Sequence, residues 1–369
     1  MNNVMGLINL HENTVKLDAL TQTRPLAAVP FGSKYRMIDF ALSNMVNSGV
    51  HNVGILIPEH SGALIQHLRA GKDWDLDRKH EGLFLLIPTP RTPLAGTGDV
   101  DYYSQHLDYL LDAKQEYVIL SASQFLCNLN YGLALEYHQK SKADATLIYR
   151  RLGSNETRPS DAVMLSLDDD RFITDMEIAP PQSKSRNLYM SMAITGRKLL
   201  IDVITNAMSR GGGDYVRQLQ ANLKNLRLNA WEFTGYTANI SDVREYYRHH
   251  MALLNQAVWR DLFFRNGHIY TKVKDSVPTK YLSEAKVENS ILANSCQING
   301  SVKNSVLFRS VHVAKGAVVK NSIIMQYSYI GSGARLENAI CDKDVEITPG
   351  RSLKGDPLYP LVIKKGTVV

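Results

Sequence analysis

The sequence predicts an α/β domain built on a mostly parallel sheet, followed by a parallel β-helix, and two observations carry that reading. Over residues 1–255 short apolar runs alternate with stretches of helical period, the pattern of strands joined by crossover helices. Beyond residue 281 a triplet recurs at near-constant spacing, the pattern of a solenoid whose coils stack. The domains are therefore read as 1–255 and 281–369, with 256–280 as a linker.

Val4 to Leu10 is the first apolar run and reads as the first strand. Between Arg36 and Ser48, residues Ile38, Ala41, Leu42, Met45 and Val46 share one helical face, and Gly49 follows as a stop signal. Val53–Pro58, Leu83–Pro88 and Tyr117–Ser121 are short, apolar and punctuated like buried strands. Further strands are expected from Ala145, Phe172 and Asn229, and further helices from near Gly196 and Ser241.

In the second region Asn289-Ser290-Ile291, Asn304-Ser305-Val306, Asn321-Ser322-Ile323 and Asn338-Ala339-Ile340 follow one another at spacings of 15, 17 and 17 residues. Gly316-Ala317 and Gly333-Ala334 are also 17 apart. A coil of three hexads repeats at about 18 residues, with an aliphatic residue inward on each face and a small residue at each corner. Antiparallel hairpins would not require such regularity.

Composition narrows the function classes. Lys plus Arg exceed Asp plus Glu by 42 to 36; the resulting +6 suits small anionic ligands, and no basic run marks a nucleic-acid groove. Cys127, Cys296 and Cys341 form no close pair, which argues against a disulfide framework or a zinc knuckle and for a reducing cytoplasm. No stretch has the length or apolarity of a membrane span, and the first residues lack a leader pattern, so a soluble, unexported chain is expected.

The run Phe31-Gly32-Ser33-Lys34-Tyr35-Arg36-Met37-Ile38-Asp39-Phe40-Ala41-Leu42-Ser43-Asn44, continuing to Asn47-Ser48-Gly49, closely resembles the signature of glucose-1-phosphate adenylyltransferases. Gly96-Thr97-Gly98-Asp99-Val100 resembles that family's Gly-Thr-Ala-Asp-Ala segment, and Ser191-Met192-Ala193-Ile194 its Ser-Met-Gly-Ile-Tyr strand. The strand at Tyr117 and the terminal solenoid follow in the family's order, so the resemblance spans nearly the whole chain. It implies a Rossmann-like nucleotidyltransferase domain, a left-handed β-helix and tetrameric assembly.

Such enzymes join glucose 1-phosphate to the α-phosphate of ATP and release pyrophosphate. Bringing two anions together demands backbone N–H groups, cationic side chains and a carboxylate-held Mg²⁺. At each of those parts this sequence departs from the family. The family's phosphate loop, Gly-Gly-x-Gly-x-Arg-Leu, reads His11-Glu12-Asn13-Thr14-Val15-Lys16-Leu17, with His11, Glu12 and Thr14 in place of glycines that let a backbone approach phosphate. The phosphate lysine of Arg-Ala-Lys-Pro-Ala-Val is Leu26. The metal aspartate of Gly-Asp-His is Ser123, within Ala122-Ser123-Gln124, and the second metal aspartate is Asn239. The lysine of the sugar-phosphate Glu-Lys-Pro motif is Ile178, between Glu177 and Ala179. Asp242, near Asn239, is read as the cap of the following helix rather than a substitute ligand.

No catalytic or metal-ligating residue and no cofactor is therefore expected in this chain. The pattern resembles the regulatory, GlgD-type subunit of glucose-1-phosphate adenylyltransferase in bacterial glycogen synthesis, an allosteric member of a hetero-oligomer whose catalytic partner subunit binds Mg²⁺. Where the family binds sugar-phosphate effectors, Arg24, Lys34 and Arg36 form a candidate anion site, with solvated charge or salt bridging as the alternative. Gly96, Thr97 and Asp99 form a candidate vestigial nucleotide pocket, or else a plain strand-to-helix turn. His249 and His250 are neighbours that face different ways on a helix and are read as surface residues; His312 in the solenoid is read as structural. Two other functions stay open: a weakly active adenylyltransferase in its own right, and a hexapeptide-repeat acyltransferase.

Overall fold

The computed structural model describes residues 3–11, 17–88, 98–154, 156–180 and 182–369. In the first domain the strands are β1 (Val4–Asn9), β2 (Pro30–Phe31), β3 (Tyr35–Arg36), β4 (Asn52–Leu56), β5 (Gly82–Leu86), β6 (Tyr117–Ala122), β7 (Phe125–Leu126), β8 (Ala145–Arg151), β9 (Val163–Leu167), β10 (Ile173–Ile178), β11 (Asn187–Gly196), β12 (Leu228–Glu232) and β13 (Ala238–Asn239). The helices are α1 (Asp18–Thr21), α2 (Met37–Asn47), α3 (Gly62–Leu68), α4 (Asp99–Ser104), α5 (Leu107–Leu111), α6 (Tyr131–Ser141), α7 (Arg197–Met208), α8 (Tyr215–Ala221), α9 (Val243–Ala252) and α10 (Gln256–Phe264).

One sheet organises this domain. Strands β6, β1, β4 and β5 lie side by side and parallel, as the short apolar runs predict. Beyond β6 the sheet turns mixed: β11 pairs antiparallel with β6, β8 and β9, and β9 with β10 forms a hairpin. Alternate residues of β1 feed opposite layers. Val4 and Ile8 pack with Ile38, Leu42 and Met45 of α2, whereas Met5 and Leu7 pack in a second core with Val203 and Ile204 of α7 and Leu219 of α8.

The solenoid consists of three five-stranded sheets in which every pairing is parallel, so antiparallel hairpins are excluded. Its triplets have a physical explanation. Asn289, Asn304, Asn321 and Asn338 each turn a corner at positive φ (40, 48, 47 and 52°), a conformation asparagine tolerates better than other side chains. Their amides form a ladder, each Nδ2 donating to the Oδ1 of the next coil at 2.8, 3.3 and 3.2 Å. The following serine hydroxyls accept N–H bonds from the coil above at 3.1 Å. The third residue of the later triplets, Val306, Ile323 and Ile340, is fully buried on the side facing the α/β domain, while the next residue of each strand, Leu307, Ile324 and Cys341, points into the solenoid.

The segment between the domains carries α10, whose Leu262 and Phe263 join Phe31, Phe40 and Tyr246 in a core shared with Phe308, Ile323 and Met325 of the solenoid. Burying one such aromatic contributes about 1.5–3 kcal/mol, so this shared core fastens the β-helix to the α/β domain. The Tyr247 hydroxyl on α9 adds a hydrogen bond to the Asn321 carbonyl at 2.6 Å. His249 and His250 are consequently not surface residues: they are 2% and 0% exposed, because α9 is covered on both flanks. His250 Nδ1–H donates to the Tyr246 carbonyl and its Nε2 accepts from the Gly32 N–H, next to Phe308; burial pushes its pKa down to about 3. No helix among the described residues is long and apolar enough to cross a membrane.

Candidate functional site

Open α/β sheets bind ligands beyond the carboxyl ends of their strands, and a crevice of about 390 Å³ lies there, beside the ends of β1 and β6. Asn9 ends β1, and its Oδ1 accepts the His11 N–H at 3.0 Å. The His11 ring stacks on Tyr102 of α4, with centroids 3.4 Å apart and planes 19° from parallel. An imidazole and a phenol thus occupy the place where the resemblance would put the start of a phosphate loop. Burial, reinforced by the charge of His106, pushes the His11 pKa down to about 4, so the ring is neutral at physiological pH.

Glu12, Asn13, Thr14, Val15 and Lys16 lie outside the described residues, as do Gly96 and Thr97. Asp99 opens α4 and lines the crevice; its Oδ1 accepts the Tyr215 N–H at 2.5 Å, and burial raises its pKa to about 7. A glycine is required just before it, since a Cβ on Gly98 would stand 2.2 Å from the backbone of Gly213. No lysine or arginine appears among the described residues that line this crevice.

The two positions read as former metal ligands do come together. Strands β7 and β13 pair with Asn239 opposite Phe125, which sets Asn239 beside Ser123 and Gln124. The Asn239 Oδ1 accepts a hydrogen bond from Gln124 Nε2 at 2.8 Å, and both Ser123 and Asn239 are buried. Leu26 is also buried, in the apolar core under α10, while Ile178 ends β10 opposite Val163. Beside it, the Glu177 carboxylate accepts from the Ser183 hydroxyl at 2.9 Å. Asp242 caps α9, its Oδ1 accepting the Glu245 N–H at 2.8 Å.

The candidate anion residues lie at the junction of the two domains. Arg24 is 4% exposed; it bonds to the Leu20 carbonyl at 2.9 Å and forms an ion pair with Asp342 of the solenoid. Arg36 donates to the Ala63 carbonyl at 2.7 Å, and exposed Lys34 holds its ammonium 5.1 Å from the Tyr35 ring centroid. Arg24 is thus committed to a bridge, whereas Lys34 and Arg36 belong to a wider group of cations. Burial and the charges of Arg36 and Arg24 push the Lys343 pKa down to about 7. Lys274 is lowered by burial and by Arg309 and Arg36, and Arg309 also acts on Lys34.

Lys274, Arg309 and Lys343 are far from residues 24–36 in the chain, so no local motif reveals them. A signal did exist: Arg309, Gln326 and Lys343 are 17 apart, the coil repeat, and the N–H that follows each corner bonds the coil before it, Tyr327 to Arg309 and Asp344 to Gln326. They form one column on the solenoid. His312, by contrast, packs edge-on against Tyr329 of the next coil.

Residues 14–159 match the nucleotidyl transferase family, and residues 275–357 match the GlmU-like C-terminal hexapeptide family. The chain is 38% identical over 371 residues to the glycogen biosynthesis protein GlgD of Bacillus subtilis, covering 100% of this chain and 97% of that one. It is 38% identical over 370 residues to GlgD of Geobacillus stearothermophilus, with the same coverage. To the glucose-1-phosphate adenylyltransferase of Thermosipho africanus it is 32% identical over 327 residues, 86% of this chain and 78% of the relative. Similarity along its whole length, on a nucleotidyl transferase domain followed by a hexapeptide solenoid, makes this chain a member of the GlgD family, related to the glucose-1-phosphate adenylyltransferases.

Proposed function

We propose that this chain acts in glycogen synthesis as the catalytically degenerate, regulatory subunit of a glucose-1-phosphate adenylyltransferase. The observation that carries the reading is the Gln124–Asn239 amide pair beside Ser123. A hydroxyl and an amide oxygen already engaged in a hydrogen bond bring no negative charge to a divalent cation, which prefers hard carboxylate oxygens. These residues do not fit Mg²⁺; in the assembled enzyme the metal belongs to the catalytic partner. His11, neutral and stacked on Tyr102, supplies no charge for a triphosphate either.

What the chain supplies instead is a place for an anionic effector. Arg36, Lys274, Arg309 and Lys343 repel one another, and a sugar phosphate set among them relieves that repulsion with charge-assisted hydrogen bonds. Because these groups come from both domains, an effector there binds only one relative setting of the two well. That differential affinity is what allows a ligand to shift a partner between states.

The test is to purify the chain alone and together with a catalytic homologue, and to follow pyrophosphate release from ATP and glucose 1-phosphate. The expected result is no turnover alone and, on mixing, a changed rate or effector response of the partner. Robust turnover by the isolated chain would establish the weakly active enzyme in its place.

A further inference from the structure

A second cavity, of about 630 Å³, is lined in part by Asn239, whose hydrogen-bond partner Gln124 lines the crevice. Its walls come from the loop after β8, from the first turns of α9 and from Pro357 and Leu358 near the end of the solenoid. None of its lining residues belongs to the Glu177-Ile178-Ala179 segment or to the cation group around Arg36 and Lys343.

Four guanidinium groups line it, those of Arg150, Arg158, Arg244 and Arg248, against three carboxylates. The carboxylates are all committed. Glu156 accepts both prongs of Arg150 at 3.0 Å and the Gly153 N–H at 2.8 Å. Asp242 caps α9, and Glu245 accepts Arg248 Nε at 3.0 Å. Arg150 and Arg248 answer two of these carboxylates, whereas Arg244 and Arg158 have no close carboxylate of their own among the described residues. Among the described residues Arg244 makes only a 4.0 Å approach to Glu245, Arg158 makes two bonds of 3.3 Å to the Pro180 and Ser183 carbonyls, and the buried Nε of Arg150 has no acceptor. The excess donor capacity is therefore cationic, next to the N-terminus of a ten-residue helix whose dipole favours an anion. Thr157, Ser241 and Asn239 line the remainder with hydroxyl and amide groups of the kind that bind sugar hydroxyls.

We propose that this cavity binds a hexose phosphate, its phosphate against Arg244 and Arg158 and its hydroxyls toward Thr157, Ser241 and Asn239. Such a ligand touches both domains at once and abuts Asn239, whose amide bond to Gln124 reaches the crevice. The site is independent of the junction cations, so it stands or falls apart from the regulatory reading above.

Leu358 is 63% exposed, so Leu358→Trp places a fluorophore at the rim with little cost to folding. Glucose 6-phosphate and inorganic phosphate are titrated into this full-length variant, then into the same variant carrying Arg244→Gln, Arg158→Gln or Lys343→Gln. Saturable quenching by glucose 6-phosphate is expected, weakened about tenfold or more by Arg244→Gln or Arg158→Gln and unmoved by Lys343→Gln. The Arg244 side chain is 48% exposed, so that variant should fold even where Arg158→Gln does not. Absence of quenching up to ~10 mM, or quenching abolished only by Lys343→Gln, overturns the site. Equal affinity for inorganic phosphate overturns the sugar half of the assignment.

Discussion

The crevice and the domain junction treat charge in opposite ways. The crevice is lined by Asp99, Asp161 and Asp214 and, among the described residues, by no lysine or arginine, while the positions read as former phosphate cations and metal carboxylates hold the uncharged Leu26, Ser123, Ile178 and Asn239. At the junction, charge is concentrated beyond what the protein neutralises by itself. Arg24 has Asp342, but Arg36, Lys274, Arg309 and Lys343 act on one another, and among the described residues only Asp39, beside Arg36 and Arg309, and Asp342, beside Lys343, offset them. Uncharged residues at the buried positions 26, 123 and 239 avoid a cost, because an unpaired buried ion is expensive. Retaining repulsion at the junction has no structural benefit, and that asymmetry is what points to an anion there.

The sharpest way to break this comparison is to remove the carboxylate that pairs with Arg24 across the junction. Arg24 and Asp342 have side chains 4% and 3% exposed, and Asp342→Ala leaves a buried guanidinium unpaired among other cations. The expected loss is about 3–5 kcal/mol, read as a lowered urea midpoint with an unchanged slope. A loss below about 1 kcal/mol would mean that water reaches these charges, and the junction would then differ little from ordinary surface.

How much of this was legible in the sequence depends on how local each feature is. The solenoid was, because each asparagine corner and each inward aliphatic residue recurs within one coil. So were the substitutions at residues 26, 123, 178 and 239, which sit in contiguous motifs. The antiparallel half of the sheet was not: Val163–Leu167 carries no signal for pairing direction, which is set when β11 crosses between β6 and β9. The surface reading of His249 and His250 failed because helical geometry says which way a side chain points, not what covers it. The junction cations span residues 24 to 343, and only folding brings them together.

A second test addresses whether the junction charge is a binding site. Lys343, held near pKa 7, is largely neutral above that pH in the empty protein, and a bound phosphate favours its ammonium form. Binding therefore takes up a proton above pH 7, and phosphate affinity should fall as the pH rises from 7 toward 9, by at most about tenfold per unit. Below pH 6 the affinity should be flat in this respect. For stability the sign is opposite: between pH 7 and the ordinary lysine pKa of 10.5 the unfolded chain holds a proton that the native one gives up, so stability rises with pH in that window. Calorimetric titration with a sugar phosphate should show Lys343→Met losing about tenfold in affinity at pH 6.5, and Lys343→Arg keeping the affinity but losing the slope. A pH-independent wild type would separate Lys343 from the ligand.

The smallest effect is expected on the neutral side. Gln124→Ala deletes one uncharged amide-to-amide bond at a partly open crevice, which costs about 0.5–1.5 kcal/mol. The same change in a site built around a metal would release a ligand-ordering contact and disturb ion binding. The Gln124–Asn239 bond joins two neutral amides, so thermal stability should drop slightly and stay insensitive to added Mg²⁺. Magnesium-dependent stabilisation of the wild type that vanishes in Gln124→Ala would show that the amide pair orients a working metal site, and the contrast between the two regions would be lost.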